Sequence, residues 1–280
     1  MKVLFLVTDG WYFLSHRLHL ASALRARGCE VWVATDPGAA AGALVQAGMR
    51  VFPIRFARDV LGQPRNALCL ARLVRLYRRL KPDLVHHVSL LPIVYGSLAA
   101  RAAGVRAVVN AVTGLGHAFA APRPLLRAAL ERAYALALGR SHVLFQNPED
   151  LALFQRRGLL GSARWTVLPG AGVDVGRFAP APEPVGVPVV LLCARMLWSK
   201  GPAVLLEASA LLRARGVAHE VVLAGTPHAT NPDAIPVAQL ELWQAEGRAR
   251  WLGHVADMPA LLRSATLAVL PSTYREGVPL

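Results

Sequence analysis

In the stretch LLCARMLWSKGPAVLLEA, Arg195 follows an apolar run and Lys200 stands five residues later, directly before a helical pattern. Such a run reads as a buried parallel strand, and open α/β sheets hold their ligands in the loops beyond the strands' carboxyl ends. Two cations there suit a diphosphate. Guanidinium and ammonium supply charge-assisted hydrogen bonds, and the amino end of the helix points its amides at the same anion. The alternative is a pair of solvated basic residues in a loop, but lysine usage weighs against it. Of 31 basic residues only three are lysines, at positions 2, 81 and 200. A drifting surface position in such a chain would carry arginine.

A second loop, PSTYREGVPL at 271–280, follows the apolar run LAVL. Glu276 can accept hydrogen bonds from sugar hydroxyls, and Gly277 lets the backbone approach a ligand closely. Taken alone, Glu276 also fits a surface turn.

The elements that must position these residues alternate from the start of the chain. KVLFLVT, EVWVAT, RVFPI, DLVHHV, RAVVNAV, HVLFQN and WTVLPG read as strands. Helical patterns separate them, beginning with SHRLHLASALRARG after a loop TDGWYFLSHR. Repeated βα units with short Gly-rich connections imply a parallel, doubly wound sheet. The Pro- and Gly-rich stretch FAPAPEPVGVP marks a linker. VVLLCAR, HEVVLAG, ARWLGHV and TLAVLPS then repeat the pattern. The division expected is a first domain over 1–178, a linker at 179–188 and a second domain over 189–280. A complete doubly wound domain takes roughly 150 residues, so the second reads as incomplete.

Composition narrows the classes. The chain is 54% hydrophobic and 17% charged, which excludes disorder. Cys29, Cys69 and Cys193 lack metal-type spacing and read as reduced core residues of a cytosolic protein. The apolar run at Val3–Val7 is too short for a signal peptide, and no run reaches the length of a transmembrane helix. Charge is lopsided. Residues 1–180 carry 23 basic and 9 acidic side chains, and residues 181–280 carry 8 of each. The first domain is therefore expected to meet an anionic surface. In the helix at 65–80, Leu70, Leu73, Val74 and Tyr77 follow helical apolar spacing, and Arg65, Arg72, Arg75 and Arg79 share another face. That face is either solvated or, with Arg123 and Arg127, laid on anionic phospholipid. A nucleic-acid partner is not expected, because aromatic interleaving and any recognition motif are missing. There is no Asp-x-Asp motif and no His/Cys ligand set, so no metal is expected.

Taken together, strand–AR, four residues, KG–helix, then LAG, WLGHV and VLPS…EG.PL resemble the retaining glycosyltransferases of family 4. LPGAGVDVGRF at 168–178 is similar to that family's interdomain segment, and VTGLGHAF and NPDAIPVAQLELWQAEGRARWLGHV resemble members that extend lipid-linked sugars. The resemblance implies the GT-B fold, two doubly wound α/β domains with the active site in the cleft between them. It implies a nucleotide-sugar donor, a UDP-sugar above all, and a polyprenyl diphosphate-linked sugar as acceptor, in O-antigen, lipopolysaccharide, capsule or protein-glycan assembly. Arg195 and Lys200 would bind the departing diphosphate. Glu276 would hold donor hydroxyls, with the amides of Gly277, Val278 and Leu280 facing sugar or phosphates. His254 and Val255 would line the base pocket.

On the acceptor side the resemblance points to Asp9, Gly10 and His16 after the first strand, and to Thr113, Gly114 and His117 after a later one. His16 is equally readable as a residue at the amino end of a helix, without chemistry. Of His86 and His87, one is expected in the core and one facing the cleft. The reaction would retain anomeric configuration with no metal or cofactor, in the cytoplasm, peripheral on the inner face of the membrane. A second family glutamate would fall beyond Leu280, so the chain reads as a piece of a longer enzyme. The alternatives are a sugar-nucleotide epimerase of the same fold, with more acid–base groups in its cleft, and a nucleotide-binding fragment without catalysis.

Overall fold

A computed structural model gives the fold and describes residues 1–57, 64–113, 124–227 and 231–273. The chain forms two compact units, one running from Met1 to Gly172 and the other beginning at Val173.

The first unit is built on seven parallel strands: β1 (Lys2–Asp9), β2 (Glu30–Asp36), β3 (Arg50–Pro53), β4 (Leu84–Val88), β5 (Ala107–Val112), β6 (His142–Phe145) and β7 (Arg164–Val167). Their order is β3-β2-β1-β4-β5-β6-β7, so the winding reverses between β1 and β4. The helices are α1 (Gly10–His16), α2 (Leu18–Ala26), α3 (Ala41–Gln46), α4 (Pro64–Leu80), α5 (Leu90–Ala103), α6 (Pro124–Leu138) and α7 (Pro148–Arg156). β1 shows why its sequence is continuously apolar. Leu4 and Leu6 enter one core layer with Leu73, Tyr77 and Val85, while Val3, Phe5 and Val7 enter the other with Phe13, Val33 and Leu44. With both faces covered, every position is interior, and each such side chain contributes about 1.5–3 kcal/mol of burial.

One expected helix divides. The pattern SHRLHLASALRARG breaks at Arg17 (φ −131°, ψ −11°), and α1 already begins at Gly10, where a loop was expected. The reason is Asp9. Its carboxylate accepts the amides of Trp11 (2.9 Å) and Tyr12 (3.2 Å), an N-cap that starts a helix straight off β1.

The second unit holds β8 (Val189–Cys193), β9 (Glu220–Ala224), β10 (Arg250–Trp251) and β11 (Leu267–Ala268), all parallel, in the order β10-β9-β8-β11. Its helices are α8 (Pro202–Ala214), α9 (Val237–Ala245) and α10 (Met258–Arg263), and a 3-10 turn spans Trp198–Lys200. The winding reverses between β8 and β11. ARWLGHV and TLAVLPS pair over only two residues each, because their later residues leave the sheet as loops at its carboxyl edge. The linker residues 178–184 lie with the second unit and line a cavity of about 370 Å³ together with Pro259, Leu262 and Arg263. No helix among the described residues is long and apolar enough to cross a membrane.

His86 and His87 depart from the reading of one in the core and one facing outward, since both are buried on β4. His86 packs edge-on against Phe5 at 5.3 Å between ring centres. His87 joins a polar network, with Tyr77 Oη at 3.1 Å from Nε2 and Asn110 Oδ1 at 2.9 Å from Nδ1. Asn110 in turn donates to Ser97 and Ser141. That pattern places the proton on Nδ1, with Nε2 accepting from Tyr77. Burial lowers the pKa of His86 to about 3 and that of His87 to about 4. Both values lie below the unfolded value of about 6.5, so the unfolded chain binds more protons between these limits. The neutral pair stabilises the fold fully above about pH 6.5, and that stability drains as pH falls toward 4. At about 1.4 kcal/mol per pKa unit, each histidine withdraws roughly 3 kcal/mol by pH 4. Urea unfolding at pH 7 and at pH 4.5 should show a large drop in midpoint; a flat midpoint would contradict the burial of both rings.

Candidate functional site

Four loops of the second unit converge at the carboxyl edge of its sheet. Beyond β8, Ala194 N bonds to Ala224 O at 3.0 Å. Beyond β9, Gly225 (φ +136°) lies so close that a Cβ on it would sit 1.8 Å from Ala194 O. Beyond β10, Gly253 O accepts Gly225 N at 2.7 Å, and beyond β11, Pro271 O lies where a Cβ on Gly201 (φ +76°) would come within 2.0 Å. Glycine is required at both close approaches by space as well as by φ.

The two cations sit in this frame but differ. Arg195 is exposed, whereas Lys200 is only 9% exposed, at the end of the 3-10 turn. The turn is pinned on two sides. Met196 N bonds to Thr226 O (3.1 Å), Ile235 N to Met196 O (3.0 Å), and Trp198 N to Asp233 O (2.9 Å). Asp233 Oδ2 accepts both the amide of Ser199, at 3.1 Å, and its hydroxyl. From the other side, Thr273 N and Ser272 Oγ donate to Ser199 O at 2.8 and 3.1 Å. Directly after Lys200, α8 starts at Gly201 and Pro202 with no side chain capping it. A buried lysine directly before an uncapped helix start puts positive charge at the strand-order reversal.

His254 is exposed and Val255 half-buried in the loop after β10, where Val255 rests on Leu191, Val222 and Ala224. Both therefore belong to the same edge as Arg195 and Lys200. Glu276, Gly277, Val278 and Leu280 lie outside the described residues, as do Gly114, His117 and Arg123.

Asp233 is the residue of this site that the sequence does not single out: it lies in the stretch NPDAIPVAQLELWQAEGRARWLGHV that resembles members extending lipid-linked sugars, but nothing in NPDAI assigns it a role until the fold brings it to Ser199. Its carboxylate makes two hydrogen bonds to Ser199, each of a class contributing about 1.5–3 kcal/mol. Asp233→Ala should lower kcat/KM of the enzyme about 10- to 100-fold by loosening the turn before Lys200, with Asp233→Asn retaining part of the activity. Steady-state kinetics checks this, and full activity in Asp233→Ala would show that the turn holds without it.

In the first unit, Asp9, His16 and Thr113 gather around Tyr12. Asp9 caps its amide. His16 stacks on its ring at 4.3 Å, and Thr113 shares a side-chain hydrogen bond with it. Ser15 Oγ lies 2.6 Å from His16 Nδ1. Burial, then the charge of Arg17, holds His16 below the ordinary histidine pKa, so it is neutral at pH 7. Gly10 is buried against its own domain: a Cβ there would meet Ala40 Cβ at 3.0 Å and Pro37 O at 3.1 Å. That packing is reason enough for a glycine at this position.

Two doubly wound parallel sheets, the second with a cationic turn at its crossover, define a two-unit α/β protein with a ligand edge, and comparison with known proteins gives the family. The family described as "Glycosyl transferase 4-like" matches residues 2–147, and "Glycosyl transferases group 1" matches residues 187–280. The chain belongs to the 4-like glycosyltransferases, and its fold is GT-B. A curated relative from Campylobacter jejuni, N,N'-diacetylbacillosaminyl-diphospho-undecaprenol alpha-1,3-N-acetylgalactosaminyltransferase, is 26% identical over 295 residues, covering 100% of this chain and 76% of the relative. Anabaena Alr3699/HepE, solved in complex with UDP-glucose, superposes with a TM-score of 0.74 at 21% identity over 99% of this chain and 75% of its own. The lipopolysaccharide outer core galactosyltransferase WaaB follows at 0.58 and 15% identity, covering 98% of this chain and 75% of its own. The two structures speak to the fold alone.

Proposed function

We propose that the protein transfers a sugar, with retention, from a UDP-sugar to a polyprenyl diphosphate-linked sugar in cell-surface glycan assembly. The observation that carries this reading is the pinned, buried Lys200 beside Arg195 at the crossover of the second sheet. The C. jejuni relative, named for transfer to a diphospho-undecaprenol-linked sugar, supports the acceptor class. Alr3699/HepE, solved with UDP-glucose, supports the donor class.

In this reading the bond from the donor's anomeric carbon to the diphosphate oxygen breaks, and a bond to the acceptor hydroxyl oxygen forms on the same face. The acceptor's proton passes to the departing phosphate oxygen, and UDP leaves. Negative charge grows on the diphosphate as the bond breaks, so cations fixed in advance stabilise the transition state more than the bound donor. Glu276 would hold the donor's hydroxyls, with Gly277, Val278 and Leu280 against sugar and phosphates.

The first unit is the part that would meet the membrane. On α4, Cys69, Leu73, Leu76, Tyr77 and Leu80 face the core, and Arg65, Arg75 and Arg79 are exposed on the other side. Arg72 is also exposed but is already engaged, stacking over Phe52 at 5.7 Å and donating to Pro53 O. Exposed Leu68 adds an apolar tooth to this basic face. An anionic inner leaflet attracts such a face with about 1 kcal/mol per basic residue.

The test is incubation with a labelled UDP-N-acetylhexosamine and a polyprenyl diphosphate sugar in detergent or vesicles. A labelled lipid product with the donor's anomeric configuration, formed together with UDP, is expected. Epimerised nucleotide sugar without acceptor, or inverted product, would overturn the reading.

A further inference from the structure

Arg17 stands between α1, which starts directly off β1, and α2, and is only 7% exposed. Its Nη1 donates to His16 O at 3.0 Å, and its guanidinium carbon lies 6.0 Å from the centre of the Tyr12 ring. Its Nε is buried without a hydrogen-bond partner among the described residues. No carboxylate among them forms an ion pair with it, unlike Arg50, Arg55 and Arg250, which all pair with acids at the surface. Its charge instead bears on neutral groups, adding to the burial that lowers the pKa of both His16 and His86. His86 lies opposite Phe5 in the β1–β4 pairing, where the strand order of the first sheet reverses.

An arginine does not shed its proton, so burial cannot be relieved by neutralisation. Leaving a buried charge unpaired costs several kcal/mol. The planar guanidinium is also the side chain best matched to phosphate oxygens. A cation held at this expense, with a donor unsatisfied, against the first turn after β1 has free energy to recover when an anion arrives.

We propose that Arg17 is an anion-binding residue of the first unit, its guanidinium turning to a phosphate oxygen of a substrate diphosphate. The proposal rests on the transferase reading, in which both donor and acceptor carry that group. The shared chemistry is a phosphoric anhydride, and the source is decided by measurement.

Three probes applied to the whole protein, inorganic pyrophosphate, UDP and an isoprenoid diphosphate sugar, separate the outcomes in wild type, Arg17→Met and Arg17→Lys. Arg17→Met should weaken pyrophosphate binding at least tenfold, with a thermal midpoint equal to wild type or higher, because an unpaired buried charge has been removed. Arg17→Lys should recover part of the affinity. A donor source predicts weaker UDP binding with the acceptor KM unchanged; an acceptor source predicts the reverse. Unchanged binding of all three probes by Arg17→Met overturns the proposal. So does a lowered midpoint in Arg17→Met combined with Arg17→Lys that binds as wild type, because the residue is then structural. If wild type itself fails to bind UDP, the transferase reading falls, and the pyrophosphate comparison still decides the role of Arg17.

Discussion

Lys200→Ala is expected to lower the rate of sugar transfer about a hundredfold or more, the loss seen when a single pre-positioned oxyanion donor is removed, worth about 2.7–4 kcal/mol. The size of the effect follows from how the lysine is held. Its turn is fixed by Asp233 on one side and by Ser272 and Thr273 on the other, so little freedom remains to be lost when the diphosphate arrives. Lys200→Arg should not restore the rate, because the larger planar group does not fit a buried ammonium's place. Arg195 is exposed and must be ordered on binding, so Arg195→Ala should cost less than Lys200→Ala. Single-turnover transfer rates for the three variants check the order; a Lys200→Ala rate within threefold of wild type contradicts it.

Gly225→Ala and Gly201→Ala should each destabilise the second unit by about 2–6 kcal/mol. Two effects combine: a positive φ that costs a non-glycine residue about 1–3 kcal/mol, and a Cβ forced against backbone, which costs a further 1–3 kcal/mol. The Cβ of Gly225→Ala would fall 1.8 Å from Ala194 O, and that of Gly201→Ala 2.0 Å from Pro271 O. Neither oxygen belongs to a flexible side-chain end, so a sheet-edge loop must move, and the loop in question carries Arg195 in one case and follows Lys200 in the other. Gly247 is the control: its φ is +67°, and nothing lies within 4 Å of the added atom. Gly247→Ala should show the φ cost alone. Urea unfolding of the three variants gives the comparison, and equal losses would mean that the close approaches are not there.

Much of this architecture can be read from the chain because apolar runs such as VLFLV at 3–7 serve two covered faces at once, and glycine or proline interrupts them at each edge. The seven strands of the first sheet and the four of the second follow from that alternation. The start of α1 does not, because Trp11, Tyr12, Phe13 and Leu14 show no helical spacing, and the signal lies in the single capping carboxylate of Asp9. β10 and β11 are shorter than their apolar runs suggest, since hydrophobicity reports burial and not pairing. Lysine scarcity singles out Lys200, but the turn that it ends is held through Ser199 by Asp233 and Ser272, more than thirty positions away. Arg17 was hidden for a simpler reason. In a chain with 31 basic residues, one more arginine carries no signal until its surroundings are known.

We propose that Arg195 and Lys200 grip a departing diphosphate. Calorimetric titration of UDP into wild type, Arg195→Ala and Lys200→Ala tests it most directly. A Kd raised at least tenfold in Lys200→Ala is expected, with a smaller rise in Arg195→Ala and all three proteins equally folded. The same Kd in all three would contradict it.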